Sequence, residues 1–312
     1  MLFLMTTRRE FVAALALGWR REAIDRLERV MGPMKRLGGM PRHEVVLETR
    51  EGALARTKIR FEAEPGDWTP AWLLRPATGR VRHAAICLHQ TTRIGKDEPA
   101  GLGGLPNLHY ARELAERGFA TLTPDYPNFG EYKRDVYAMG YASATMKGIM
   151  NHRQAARLLC KLAGVKGVAA IGHSLGGHNA LFLAAFEERV LAVATSCGFT
   201  SFAKYYGGHL KGWSHKGYMP RIESVYGCDP KRMPFDFPDV LRLIAPRAVF
   251  VNAPLHDENF DAGGVDDCIR AVRPYFRDAA RLVVEHPDCG HDFPPEVRER
   301  CYGFLERQLA QA

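Results

Sequence analysis

Val168-Ala169-Ala170-Ile171-Gly172-His173-Ser174-Leu175-Gly176-Gly177, running on to Leu181-Phe182-Leu183-Ala184-Ala185-Phe186, is the stretch that decides the fold. Its first part is apolar without alternation, which predicts a strand covered on both faces over 168–172. Its last part predicts an apolar helix over 175–186. Between them Gly172-His173-Ser174-Leu175-Gly176 matches G-x-S-x-G. Alone the pattern is weak, because roughly one in twenty chains of this composition would contain it by chance. A buried strand before it and an apolar helix after it give the strand–turn–helix setting in which a serine serves as nucleophile. The reason is steric. The serine sits in strained backbone geometry on a sharp turn, and residues two before and two after it crowd together. Only glycine fits well there, and Gly177 gives further room. Of the six serines, Ser174 alone has glycine at both positions.

Outward from this stretch, strands and helices alternate. Strands are predicted over 83–89, 119–123, 190–196, 248–253 and 281–286. Helices are predicted over 108–117, 139–164, 265–276 and 295–309. The alternation implies an α/β fold with a mostly parallel twisted sheet and helices on both faces. Three β-type runs, 44–49, 56–62 and 70–75, precede it and are separated by turn signals, which reads as an antiparallel lead-in. Residues 198–246 break the pattern. They are too long for a crossover and hold nine aromatics, among them Tyr205, Trp213 and Tyr218. The reading is a lid-like insertion walling a pocket, or else an irregular surface insertion anchored by its aromatics. The organisation is thus a segment 1–43 followed by a body 44–312.

The chain has 312 residues and a formal net charge of +8. A nucleic-acid partner would explain such a charge, but its placement argues otherwise. Residues 1–60 carry +6, leaving the body with only +2. No apolar run approaches the roughly 20 residues of a membrane span. The seven cysteines stand singly with no CxxC pair. They read as reduced thiols, and hence a cytoplasmic setting. Thr7-Arg8-Arg9-Glu10-Phe11-Val12 offers an alternative, because it looks like the start of a twin-arginine export signal. Residues 1–18 are therefore read either as a signal or as part of an amphipathic helix over 7–31, with Phe11, Leu15, Leu17, Ile24, Leu27 and Met31 on one broad face.

With these features together, the sequence over about 44–312 resembles the α/β-hydrolase superfamily, and within it the dienelactone hydrolase and acetyl xylan esterase type. The resemblance rests on Pro70–Pro76 closing the lead-in, Leu88-His89 after an apolar strand, Thr123-Pro124-Asp125-Tyr126, and the Ser174 turn. It implies an eight-stranded, mostly parallel sheet and a chain order of Ser, acid, His. Ser174 is then the nucleophile. The acid follows the strand at 248–253, where Ala253-Pro254-Leu255-His256-Asp257 stands in place of the family's H-G-x-x-D run. Asp257 fills the slot, with Glu258 and Asp261 as alternatives. The base is His291, in the Gly290-His291 loop before the last helix, with His286 as its nearest rival. His173 and His178 flank the nucleophile, and His173, at the motif's variable position, is read as a packing residue. Two backbone N–H groups should form an oxyanion hole. Leu175 supplies one. The other comes from His89-Gln90-Thr91-Thr92, with Thr91 first and Gln90 second, where relatives often carry glycine.

These parts imply a serine carboxylic-ester hydrolase working on a small-molecule ester through an acyl-enzyme, with no metal and no organic cofactor required. A near-neutral body suits a small uncharged ester, and the aromatic insertion hints at an aryl or sugar ester. The alternatives are another acyl-transfer hydrolase on the same residues (a peptidase, thioesterase or lactonase) and a non-catalytic binding protein of hydrolase fold. Gly101-Leu102-Gly103-Gly104 lacks the full G-x-G-x-x-G and reads as a loop. His209, His215 and Cys228 fit no zinc spacing.

Overall fold

The computed structural model describes residues 8–311, and the side chains of 18–311. Thr7 and the side chains of Arg8 and Arg9, on which the export reading turns, lie outside the described residues. The backbone from Arg8 to Met31 forms helix α1.

Among the described residues nine strands make one sheet in the order β1-β2-β3-β5-β4-β6-β7-β8-β9. β1 (His43–Glu51), β2 (Leu54–Glu64) and β3 (Asp67–Pro76) are antiparallel, and β3 is also antiparallel to β5 (Phe119–Pro124). From β5 onward, β4 (His83–Leu88), β6 (Val168–His173), β7 (Val190–Ser196), β8 (Ala248–Asn252) and β9 (Leu282–Glu285) run parallel. The resemblance implied eight strands. The ninth arises because the whole lead-in forms a three-stranded meander on one edge.

The helices are α2 (Tyr110–Glu116), α3 (Ala144–Ala163), α4 (Leu175–Phe186), the short α5 (Arg221–Ser224), α6 (Phe237–Ile244), α7 (Ala262–Val272) and α8 (Pro295–Ala310). Three begin elsewhere than periodicity suggests: α2 at Tyr110 rather than 108, after a 3₁₀ turn over Pro106–Leu108, and two more whose starts have a capping reason. α3 starts at Ala144, not 139, because Ser143 Oγ accepts from Met146 N at 3.0 Å. α7 starts at Ala262, not 265, because Asp261 Oδ1 accepts from Gly264 N at 2.7 Å. It ends at Val272, two residues before Pro274, whose ring has no N–H to continue it.

β4, β5, β6, β7 and β8 are buried throughout apart from His83 and Leu191, and α4 is buried along its entire length. One core layer packs between the sheet and α3, α4 and α6; a smaller one lies under α2 and α8. Arg247 locks the end of α4 to the start of β8. Its guanidinium donates to Ala184 O at 2.7 Å, Val190 O at 2.7 Å and Glu187 O at 3.0 Å. It thus satisfies carbonyls that a helix end leaves without partners. α1 docks on α6: Leu27, Val30 and Met31 are buried, and Arg26 reaches Asp239 at 2.7 Å. Burial of each such apolar side chain contributes about 1.5–3 kcal/mol. Among the described residues no helix is long and apolar enough to cross a membrane.

Candidate active site

β6 ends at His173 and α4 begins at Leu175, so Ser174 alone makes the turn. Its φ is +53° and ψ −120°, a conformation that L residues adopt only under constraint. The constraint is visible. Ser174 N donates to Ser196 O at 2.8 Å, and Ser174 O accepts from His178 N at 3.0 Å. A Cβ on Gly172 would run into the backbone of Gly176, and one on Gly176 into the carbonyl of Leu88. The two glycines of the motif are therefore demanded by the close approach of the turn to itself and to β4.

Ser174 is half-buried and opens onto a cavity of about 300 Å³, lined also by Thr91, Leu175, Trp213, Tyr218 and Phe260. Leu175 is the first residue of α4, so its N–H has no acceptor within the helix. Thr91 also faces this cavity, and Gln90 does not.

The loop carrying Thr91 is held from beneath. Asp125 is fully buried; its two oxygens accept from Lys96 N at 2.8 Å and Glu131 N at 2.9 Å. Tyr126 N donates to His89 Nε2 at 3.0 Å, which leaves the His89 proton on Nδ1, 2.6 Å from Gln90 O. The Thr123–Tyr126 run thereby fixes the loop after β4. Gln90, where relatives often carry glycine, turns away and donates from Nε2 to Glu98 Oε1 at 3.2 Å. Thr91 Oγ1 lies 2.7 Å from Tyr218 Oη, tying the loop to the insertion.

Asp257 and His291 come together across two loops. Asp257 Oδ2 is 2.9 Å from His291 Nδ1, and Asp257 Oδ1 accepts from Asn259 N at 2.8 Å and Phe260 N at 3.1 Å. Burial pushes the Asp257 carboxyl up, but the His291 contact and the two N–H groups outweigh it, and its pKa is lowered overall. Glu258 is exposed, and Asp261 caps α7. His286 sits just beyond β9, between Ala253 O at 2.7 Å and Asp266 Oδ1 at 3.1 Å, rather than within the strand.

The His291 ring packs against the turn. It stands edge-on to His173 at 4.7 Å between centroids and stacks on Phe260 at 6.0 Å. Ser174 Oγ has no hydrogen-bond partner among the described residues; such contacts often tighten only when substrate is bound. Burial lowers the pKa of His173 and of His178 to about 3, so both are neutral near pH 7. His178 is wedged between Phe182 and Trp213 at 4.5 and 4.4 Å.

Three residues near His291 had no signal in the sequence. Asn252 Nδ2 donates to Ser196 Oγ at 2.8 Å and to Asp292 O at 2.9 Å. Ser196 Oγ is 2.9 Å from His173 Nδ1. Cys197, with φ +48°, donates from Sγ to Asp292 O at 3.5 Å. Together they tie the His291 loop to the ends of β7 and β8. His209, His215 and Cys228 do not converge; His215 packs on Tyr218 at 4.0 Å. Of the nine insertion aromatics, six are buried, so most anchor the segment while Tyr205, Trp213 and Tyr218 also wall the cavity.

A mostly parallel sheet with a strained serine turn at its centre and an acid–histidine pair beyond later strands defines the α/β-hydrolase fold. Residues 99–222 match the family model described as alpha/beta hydrolase fold. No protein of curated function matches the chain in sequence. Among solved structures, the chain is similar to a glucuronoyl esterase from Solibacter usitatus, with a TM-score of 0.72 and 16% identity over 93% of this chain and 92% of that one. It is similar to a glucuronoyl esterase from Caldicellulosiruptor kristjansonii, with a TM-score of 0.68 and 16% identity over 94% and 85%. It is also similar to acetyl xylan esterase 1 from a Thermoanaerobacterium, with a TM-score of 0.62 and 18% identity over 94% and 93%. The expected α/β-hydrolase fold is borne out.

Proposed function

We propose that the protein is a serine carboxylic-ester hydrolase. The observation that carries this reading is the pairing of buried Asp257 with His291, packed against the turn that presents Ser174 to a cavity. Asp257 accepts the Nδ1 proton of His291, which leaves Nε2 free to take a proton. Ser174 Oγ attacks the ester carbonyl as its proton passes to Nε2. The N–H groups of Leu175 and Thr91 stabilise the tetrahedral oxyanion. On collapse the alcohol leaves with the proton from Nε2, and Ser174 keeps the acyl group. Water, deprotonated by His291, then attacks that ester; carboxylate leaves and the serine regains its proton. Asp257 stays ionised and stabilises the imidazolium. Every step uses groups of the chain and water alone.

The cavity of about 300 Å³ is at the small end for ligand sites, which suits a short acyl group or one sugar unit. Glucuronoyl and acetyl xylan esterases among the similar structures favour an ester carried on a carbohydrate. The test is hydrolysis of short-chain para-nitrophenyl esters and of acetylated sugars. Activity should vanish in Ser174→Ala and in His291→Ala; retention in either variant removes that residue from the mechanism.

A further inference from the structure

The near-neutral charge of the body conceals an uneven placement. Beside the Ser174 cavity lies a hollow of about 480 Å³ lined by Thr91, Arg93, Asn128 and Lys133. Beyond it lies one of about 910 Å³ lined by Asn128, Lys133, Tyr137 and Lys216. Thr91 walls both the Ser174 cavity and the first hollow. Asn128 and Lys133 wall both hollows. Gly217, in the outer hollow, adjoins Tyr218 in the cavity. The three spaces form one groove leading away from Ser174.

Its cations are available. Arg93, Lys133 and Lys216 are exposed, and none has a carboxylate partner among the described residues. Lys133 Nζ touches only a backbone carbonyl, that of Asn128, at 3.0 Å. Arg134, also on this wall, is taken up by Asp67 at 3.0 Å. The groove's own carboxylate, Asp135, is turned back onto Tyr137 N at 3.0 Å and Ala138 N at 3.1 Å. The walls are also built rather than loose. Asn128 Oδ1 accepts from Arg134 N at 3.1 Å, and Tyr137 Oη donates to Lys216 O at 2.6 Å, joining the loop after β5 to the insertion. Tyr126 Oη fixes the same insertion loop through Gly217 O at 3.1 Å.

We propose that this groove binds the carboxylate-bearing part of the substrate: an anionic sugar chain whose ester lies at Ser174. The proposal rests on the ester-hydrolase reading and names the substrate class. Each exposed cation alone is worth little in water, but several along a groove sum into a potential that favours a polyanion. Tyr137 offers a partly exposed ring on which a pyranose face can pack. A nucleic acid is disfavoured, because the body as a whole carries only +2.

The test compares an acetylated oligogalacturonide, an acetylated neutral xylo-oligosaccharide and para-nitrophenyl acetate. In a variant combining Arg93→Gln, Lys133→Gln and Lys216→Gln, KM for the oligogalacturonide should rise about tenfold or more, with kcat unchanged. KM for the two uncharged substrates should not move. Added salt should erase the wild-type preference for the anionic chain. Equal KM values in variant and wild type, or a wild-type preference indifferent to salt, would overturn the proposal. Calorimetric binding of the deacetylated oligogalacturonide to Ser174→Ala separates the two ideas. Binding that the three substitutions abolish supports the groove even if no ester is cleaved. Absence of binding overturns the groove even if para-nitrophenyl acetate is hydrolysed.

Discussion

Asp257→Asn isolates the part played by the acid. The change is nearly isosteric, and the amide oxygen can keep accepting from Asn259 N and Phe260 N, at 2.8 and 3.1 Å in the native protein. The amide nitrogen then occupies the place of Oδ2, 2.9 Å from His291 Nδ1. Two donors cannot face each other, so the His291 proton moves to Nε2 and Nδ1 becomes the acceptor. In that tautomer Nε2 cannot take the Ser174 proton. Loss of the correct tautomer in a serine triad costs about 10⁴-fold in kcat. That corresponds to roughly 5–6 kcal/mol of barrier. KM should change little, because Asp257 is buried behind His291 and does not line the Ser174 cavity. The assay is steady-state hydrolysis of para-nitrophenyl acetate, with thermal unfolding to verify the fold. A folded variant whose kcat lies within about tenfold of wild type would refute the tautomer argument. The pH dependence adds a sign. The Asp257 pKa lies below its ordinary 3.8, so its carboxylate stays charged down to that pH. Any fall of activity between neutrality and that point must therefore come from another group.

Three further outcomes follow from the packing. Gly176→Ala drives a methyl into the Leu88 carbonyl. It should destabilise the protein by about 1–3 kcal/mol in urea unfolding and disable the turn; a fully active, equally stable variant would contradict this. Trp213→Ala removes a buried ring that packs on Phe202, Phe237 and His178 while lining the cavity. The expected cost is about 3–5 kcal/mol of stability together with a raised KM for short esters. Asp236 caps α6 while largely buried, and burial, helped only slightly by Asp239, raises its pKa to about 6 from 3.8. A raised carboxyl pKa gives stability that is present below the unfolded value and lost as pH rises through the folded one. The stability of Asp236→Asn relative to wild type should therefore climb between about pH 4 and 7, by up to roughly 3 kcal/mol. Parallel pH profiles for the two proteins would contradict it.

Local chemistry made much of this readable from the sequence. The Ser174 turn shows itself because Gly172 and Gly176 are required by contacts within a few residues and with β4. The strands on either side show themselves because burial on both faces leaves continuous apolar runs such as Ala84–Leu88. Asp257 was legible only as one of three neighbouring acids. What distinguishes it is the approach of the His291 loop, 34 residues away, and the use of Asp261 as a cap. The start of α3 was hidden because Met139 and Tyr141 continue an apolar periodicity outside the helix, while the deciding feature is the Ser143 cap. Asn252, Ser196 and Cys197 were invisible, because their roles depend on three strand ends meeting. The groove was hidden for a similar reason: Arg93, Lys133 and Lys216 are far apart in the chain, and net charge averages them away.

The central claim is that Ser174 is the nucleophile. Treatment with a fluorophosphonate, followed by peptide mass mapping, tests it most directly. The account predicts a single phosphonylated peptide carrying the label on Ser174, and no labelling of Ser174→Ala. Persistent labelling of that variant, or a label mapped to another serine in the wild type, would contradict it.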